Sequence, residues 1–210
     1  MERVLSIIGA LVAYKGKPAK VVSSTTHKYE ISFSDGSSQK VREKDFQFIH
    51  PEFSLVDSNC PDVDTSILID LDIESLSLKE LTEWLFDNYT SQNAWFIYLM
   101  SVDGLYFYWN KNILILRPTD QIEIIKQKRH EQALEEESLK RCVNNFNNNS
   151  FDSDDVFWIH EIEQVAINQS KHSKAMSALS IDSTPENAHR ILIRINYWSV
   201  LNNPYPRRNK

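Results

Sequence analysis

The sequence predicts an α+β chain with strands first and helices after. Three observations carry this. Residues 1–50 hold short apolar or alternating runs separated by turn signals. Ser77-Leu78-Lys79-Glu80 is a capping box, the signature of a helix start. From Thr119 onward, apolar residues recur at helical spacing and no further period-two run appears.

The strands come in quick succession. Ala10-Leu11-Val12-Ala13-Tyr14 is apolar, Lys15-Gly16-Lys17-Pro18 turns, and Ala19-Lys20-Val21-Val22 follows. Tyr29-Glu30-Ile31-Ser32-Phe33 alternates, Asp35-Gly36 is a hairpin signal, and Ser38-Gln39-Lys40-Val41-Arg42 is the next strand. Phe46-Gln47-Phe48-Ile49 makes a fifth before Pro51. Five short strands with tight turns predict a small SH3-like β-barrel over residues 1–52. Residues 53–75, with Asp57, Asp62, Asp64, Asp70, Asp72 and Glu74, read as an acidic linker.

The capping box opens a helix whose expected inward stripe is Leu78, Leu81, Trp84 and Leu85. A second helix fits Asn93 to Val102, and Asn110-Lys111-Asn112 joins two apolar strands into a hairpin. Residues 76–118 are therefore expected to form a winged-helix-like unit. Residues 119–198 read as a second helix-turn-helix-like unit. It starts with a long charged helix carrying Ile122, Ile125, Leu134, Leu139, Val143 and Phe146, broken by the asparagines of 144–149. A helix over 155–168 faces inward with Val156, Ile159, Ile162 and Val165; a short one spans 173–179. Thr184-Pro185-Glu186 opens the last, with Ala188, Ile191, Leu192 and Ile195 inward. Residues 199–210, aromatic, proline-rich and basic, read as a connector into a further domain.

Composition narrows the function. The chain has 210 residues, 41% hydrophobic, with a net charge of −6 that argues against a general polyanion binder. The charge is uneven: residues 1–56 carry net +2, residues 57–118 net −7, and residues 168–210 net +5. No run approaches the ~18 apolar residues of a membrane span. Cys60 and Cys142 are isolated, as expected of a reduced cytoplasmic protein. The six histidines are scattered, and no metal, nucleophile-elbow or phosphate-loop motif occurs. Asp152-Ser153-Asp154-Asp155 resembles a magnesium site but falls where a helix needs its cap. No catalytic or metal-binding residue is assigned, and no cofactor is expected. The aromatic run Leu105 to Trp109 could stack bases but reads better as core under a wing. Gln169-Ser170-Lys171-His172-Ser173-Lys174, polar and basic at a helix junction, is the best phosphate candidate.

Several strings resemble the N-terminal region of bacterial ribonuclease II/R-family (RNB-domain) proteins. They are Gly9 through Ala19, Lys40 through Asp45, Ile49-His50-Pro51, Asp103 through Phe107, Gln169-Ser170-Lys171 with Ser173, Thr184 through His189, and Asn203 through Arg208. The resemblance implies an accessory, RNA-guiding region of a processive 3′-to-5′ exoribonuclease, truncated before the RNB domain. That missing domain would be its partner in the same chain and would hold the catalytic aspartates and their magnesium. The implied ligand is single-stranded RNA, with candidate phosphate contacts at Lys15, Lys17, Lys20, Lys40, Arg42, Lys171, Lys174, Arg207 and Arg208. The alternative, favoured by the acidic middle, is a non-catalytic winged-helix protein-interaction or regulatory module.

With no convergent set of carboxylates, this chain is expected to release no nucleotides from labelled single-stranded RNA with magnesium or manganese. Release abolished by changing Asp152, Asp154 or Asp155 would refute this.

Overall fold

The computed structural model describes residues 7–201 except 27, 60, 62 and 69–72. The chain divides into two compact units, Met1–Lys126 and Gln127–Lys210.

In the first unit, β1 (Leu11–Tyr14), β2 (Lys17–Ser24), β3 (Tyr29–Ser32), β4 (Ser38–Val41) and β5 (Gln47–His50) form an antiparallel sheet in the order β4-β3-β2-β1-β5. The β1–β2 turn is two residues, Lys15 (φ +49°) and Gly16 (φ +78°), and Tyr14 pairs with Lys17 across it. Two successive positive φ values twist a hairpin in the sense its strands require. At the β3–β4 turn, Gly36 sits at φ +80° while the Phe33 amide donates to the Ser37 carbonyl at 2.9 Å. The five expected strands are thus present. The closed barrel is not: among the described residues no ladder joins β4 to β5, so the sheet is open. β5 pairs with β1 alone, and the Tyr89 hydroxyl donates to the Ile49 carbonyl on it at 2.6 Å.

β1 is buried along its whole length. Val12 and Tyr14 pack with Ala19, Val21, Ile31 and Val41 on one face. Leu11 and Ala13 join Ile49, Leu81, Trp95, Phe107 and Leu114 on the other. The acidic segment after β5 is not a bare tether, because Phe53, Val56 and Ile73 pack against that second cluster and Leu68 is buried within it. The Asp57 amide donates to the Gln92 side chain at 2.8 Å, and Gln92 donates back to the Asp57 carbonyl at 3.0 Å.

The second cluster is built on β6 (Ser75–Leu76), α1 (Leu78–Phe86), α2 (Ser91–Asp103) and the hairpin β7 (Phe107–Asn110) and β8 (Ile113–Leu116), with strand order β6-β8-β7. Ser77 caps α1 as expected: its hydroxyl accepts from the Glu80 amide, and Glu80 accepts from the Ser77 amide at 2.9 Å. Trp84 departs from expectation, being 41% exposed. The inward face of α1 is centred on Leu78, Leu81 and Thr82, whose hydroxyl donates to the Leu78 carbonyl, leaving Trp84 on the rim. α2 starts at the Thr90 cap, two residues earlier than expected, and closes on Gly104 in the left-handed conformation.

α3 (Thr119–Asn147) spans about 43 Å at the usual helical rise. Residues 127–137 are exposed without exception, Leu134 included, contrary to its expected inward place. The helix also runs through the first three asparagines of the expected break, Asn144, Asn145 and Asn147, and the chain turns away at Asn149, with φ +56°. In the second unit, α4 (Val156–Ala166), α5 (Lys174–Ala178) and α6 (Pro185–Arg194) enclose a core with Cys142, Phe146, Trp158, Ile159, Met176, Leu192 and Trp198. Trp158, its indole donating to Ser138 at 3.0 Å, takes the inward place expected of Val156, which is 49% exposed. Burial pushes the Cys142 thiol up to about 12, so it stays protonated inside this core.

Replacing Ser77 with alanine leaves the Glu80 amide at the start of α1 without the hydroxyl that accepts from it. A loss of about 1 kcal/mol in urea unfolding of the chain is expected. The Ser77 hydroxyl and amide hold the Glu80 carboxyl below its ordinary range. The box therefore contributes fully above that range and is lost as pH falls through the lowered folded value. A Ser77→Ala effect that grew with acidification would contradict this.

Candidate nucleic-acid interface

Of the nine cations expected to meet phosphate, Lys15, Lys17, Lys20, Lys40 and Arg42 belong to the first unit, and Lys171 and Lys174 to the second. Lys15 and Lys17 flank the β1–β2 turn beside a cavity of about 360 Å³ that also involves Tyr14, Phe33 and Asp35. The Lys20 ammonium lies 6.0 Å from the centroid of the Phe53 ring. Lys40 sits opposite Glu30 in the β3–β4 ladder, a cross-strand neighbour of opposite sign. Arg42 is engaged by Asp45, with Nε 3.1 Å from the carboxylate, and this bond holds the Asp45 carboxyl below its ordinary range. Arg207 and Arg208 lie outside the described residues.

The 169–174 junction is organised by a carboxylate from another helix. Ser173 caps α5, accepting from the Met176 amide, while its hydroxyl donates to Glu161 at 2.9 Å. The Ala175 amide donates to the same Glu161 oxygen at 3.2 Å. An anion from α4 thus already fills the place read as a phosphate seat. Lys174 pairs with Glu135 on α3 at 2.6 Å, a hydrogen bond that raises its pKa. Lys171 and His172 of this string line an open cavity of about 560 Å³, with Ser177, Ser180 and Asp182.

The aspartates of 152–155 are committed to the chain itself. Asp152 accepts from the Ser153 amide at 2.7 Å. Asp155 is fully buried, with one oxygen taking the Asp152 amide at 2.8 Å and the Asn145 side chain at 2.7 Å. Asp154 lies 3.7 Å from the Arg141 guanidinium. Among the described residues no group of three or more His, Cys, Asp or Glu is placed to hold a metal ion. The aromatic run leading into the β7–β8 hairpin is largely core: Phe107 is fully buried and Tyr108 alone of the run is exposed, with the Arg117 guanidinium 4.7 Å from its ring centroid.

Two cations escaped the sequence reading. Ala188, Ile191, Leu192 and Ile195 are buried, which turns Arg190 and Arg194 to the exposed side of α6, one turn apart. The Arg194 guanidinium also reaches the Phe146 carbonyl at 3.5 Å. The signal was present, since the inward stripe of α6 was recognised and these arginines form its complement. No helix among the described residues is long and apolar enough to cross a membrane.

Glu161 is expected to hold the second unit together through α5. Glu161→Ala leaves Ser173 and the Ala175 amide without their shared acceptor. The expected loss is about 1–3 kcal/mol of stability, read by thermal or urea unfolding. Equal stability of the variant would show that water replaces the carboxylate without loss.

No curated protein matches this chain, and no solved structure does. Residues 120–204, which include α4, α5, α6 and all but the first residue of α3, match the family HTH RNase II, described as a double HTH domain.

Proposed function

We propose that this chain is an accessory, substrate-guiding region of a processive 3′-to-5′ exoribonuclease of the ribonuclease II/R type. It would contact single-stranded RNA and deliver it to an RNB domain that supplies the magnesium-dependent chemistry, in the cytoplasm. The single observation that carries the reading is the match of residues 120–204 to a double HTH domain of the RNase II type.

Three features support it. α5 and α6 are joined by a short turn, and α6 presents Arg190 and Arg194 on its exposed face. Lys171 stands at the entry to this helix pair, in a stretch of net +5 over residues 168–210. The strongly acidic middle of the sequence repels a polyanion, which favours contact at the two basic ends. We read the five-stranded sheet as an SH3-like unit left open, contributing Lys15, Lys17, Lys20 and Lys40 to the same task. The second reading, a protein-interaction module, is favoured by Phe157 at 67% and Val156 at 49% exposure on α4.

Anisotropy titration of a labelled single-stranded RNA at low and moderate salt tests the proposal. Binding is expected to be weak and salt-sensitive, because few phosphates are neutralised at once. Arg190→Glu and Lys171→Ala should each weaken it by roughly three- to ten-fold, while Lys174→Ala should change it little because Glu135 already holds that ammonium. Salt-independent binding, or an affinity unmoved by Arg190→Glu, would select the protein-interaction module.

A further inference from the structure

β1, β2, β3 and β4 run antiparallel in order, so the β1–β2 and β3–β4 turns project from the same end of the sheet. Between them lies the cavity of about 360 Å³, within the ~300–1,000 Å³ range of small-ligand sites. Tyr14, nearly buried, and Phe33, half-buried, meet at a ring-centroid distance of 6.2 Å and a tilt of 52°. The Gln39 amide donates to the Tyr14 hydroxyl at 3.1 Å and fixes that ring from below. The Lys15 ammonium stands 5.3 Å from the Tyr14 ring centroid. Asp35 is pinned at the opposite wall, accepting from the Ser37 hydroxyl at 2.6 Å and from its amide at 2.9 Å. Lys17 is close enough for its charge to act on that carboxylate.

An aromatic edge, two ammonium groups and one carboxylate acceptor around a space of this size match the parts of a nucleoside phosphate. An aromatic face takes a base of any sequence, lysines take the phosphate, and a carboxylate accepts from an exocyclic amino group while repelling phosphate from its own side. We propose that the notch between these two turns holds one nucleotide of a single-stranded RNA. Its base lies against Phe33, its phosphate between Lys15 and Lys17, and its amino group faces Asp35. The inference rests on the RNA-guiding reading above and deepens it to a defined subsite. It selects adenine, cytosine or guanine over uracil, which lacks an amino donor.

The test uses the full chain with labelled oligoadenylate and oligouridylate, and adenosine monophosphate as the free-nucleotide arm. Lys15 occupies a positive-φ position, so Lys15→Gly removes the ammonium without straining the turn. Combined with Lys17→Gln, it should lower oligoadenylate affinity about five-fold and flatten the logarithmic salt dependence by about 0.7, the value for the one single-strand phosphate held between them. Phe33→Leu should lower affinity by a similar factor with the salt slope unchanged, because stacking releases no counterions. Asp35→Asn should erase the preference for oligoadenylate over oligouridylate. Photocrosslinking of halogenated RNA to the unaltered chain gives a readout that no folding defect can disturb, and should label a peptide within residues 14–39. RNA that binds but crosslinks only elsewhere would overturn the notch and leave the RNA-guiding reading intact. A chain that binds no RNA would remove both. Competition by micromolar adenosine monophosphate would replace the strand by a free nucleotide and overturn the proposal as stated.

Discussion

Everything in the first unit hangs on a four-residue strand with no charged side chain. Leu11–Tyr14 is buried on both faces, its odd positions in one hydrophobic cluster and its even ones in the other. A strand in that position must be apolar at every residue. Its neighbours are then fixed by the pairing: β2 supplies Ala19 and Val21 to one face, and β5 supplies Ile49 to the other. Because β1 carries both cores at once, the sheet has one hydrophobic wall against α2 and the β7–β8 hairpin and another under its own turns. The second wall supports the end of the sheet where Lys15, Lys17 and Phe33 gather.

The second unit depends on a different kind of contact. α5 is five residues long, too short to persist by its own hydrogen bonds. Glu161 holds it from α4 by taking Ser173 and the Ala175 amide together, and Met176 and Ala175 close the core beneath. A carboxylate in this position does locally what an external anion would do, which is why the most phosphate-like string of the sequence turns its amides inward. At Asp155 one oxygen likewise caps the segment ahead of α4 and holds Asn145 near the end of α3, while the other is buried without a hydrogen-bond partner among the described residues.

Features written in neighbouring residues were legible in the sequence. The Ser77–Glu80 box, the Thr184-Pro185 start and the Asp35-Gly36 and Lys15-Gly16 turns all appear where residue chemistry demands them, because each is closed within a few positions of the chain. Features that depend on distant partners were not. No local signal tells that β4 and β5 stay unpaired, that Trp158 displaces Val156 from the core, or that Glu135 claims Lys174 across 39 positions. Leu134 misled because its helical spacing is correct, yet residues 127–137 of α3, which carry it, are exposed throughout. Arg42 is the intermediate case: Asp45 stands only three residues away, so the ion pair lies within the reach of local sequence.

Acidity decides which cations remain for a ligand. Asp45 and Glu135 engage Arg42 and Lys174 directly, and Glu30 faces Lys40 across the ladder. These pairs are exposed and individually weak, yet each lowers the positive potential available to a phosphate at that point. What survives is grouped by secondary structure rather than by sequence. Lys15 and Lys17 project from one hairpin turn, and Lys171, Arg190 and Arg194 belong to the α5–α6 region. A protein with a net charge of −6 can then meet a polyanion only at such places. Contact confined to a few phosphates is weak and readily reversed. Weak, reversible contact is what the proposed RNA-guiding role requires, since a uniformly basic surface would hold a strand in place.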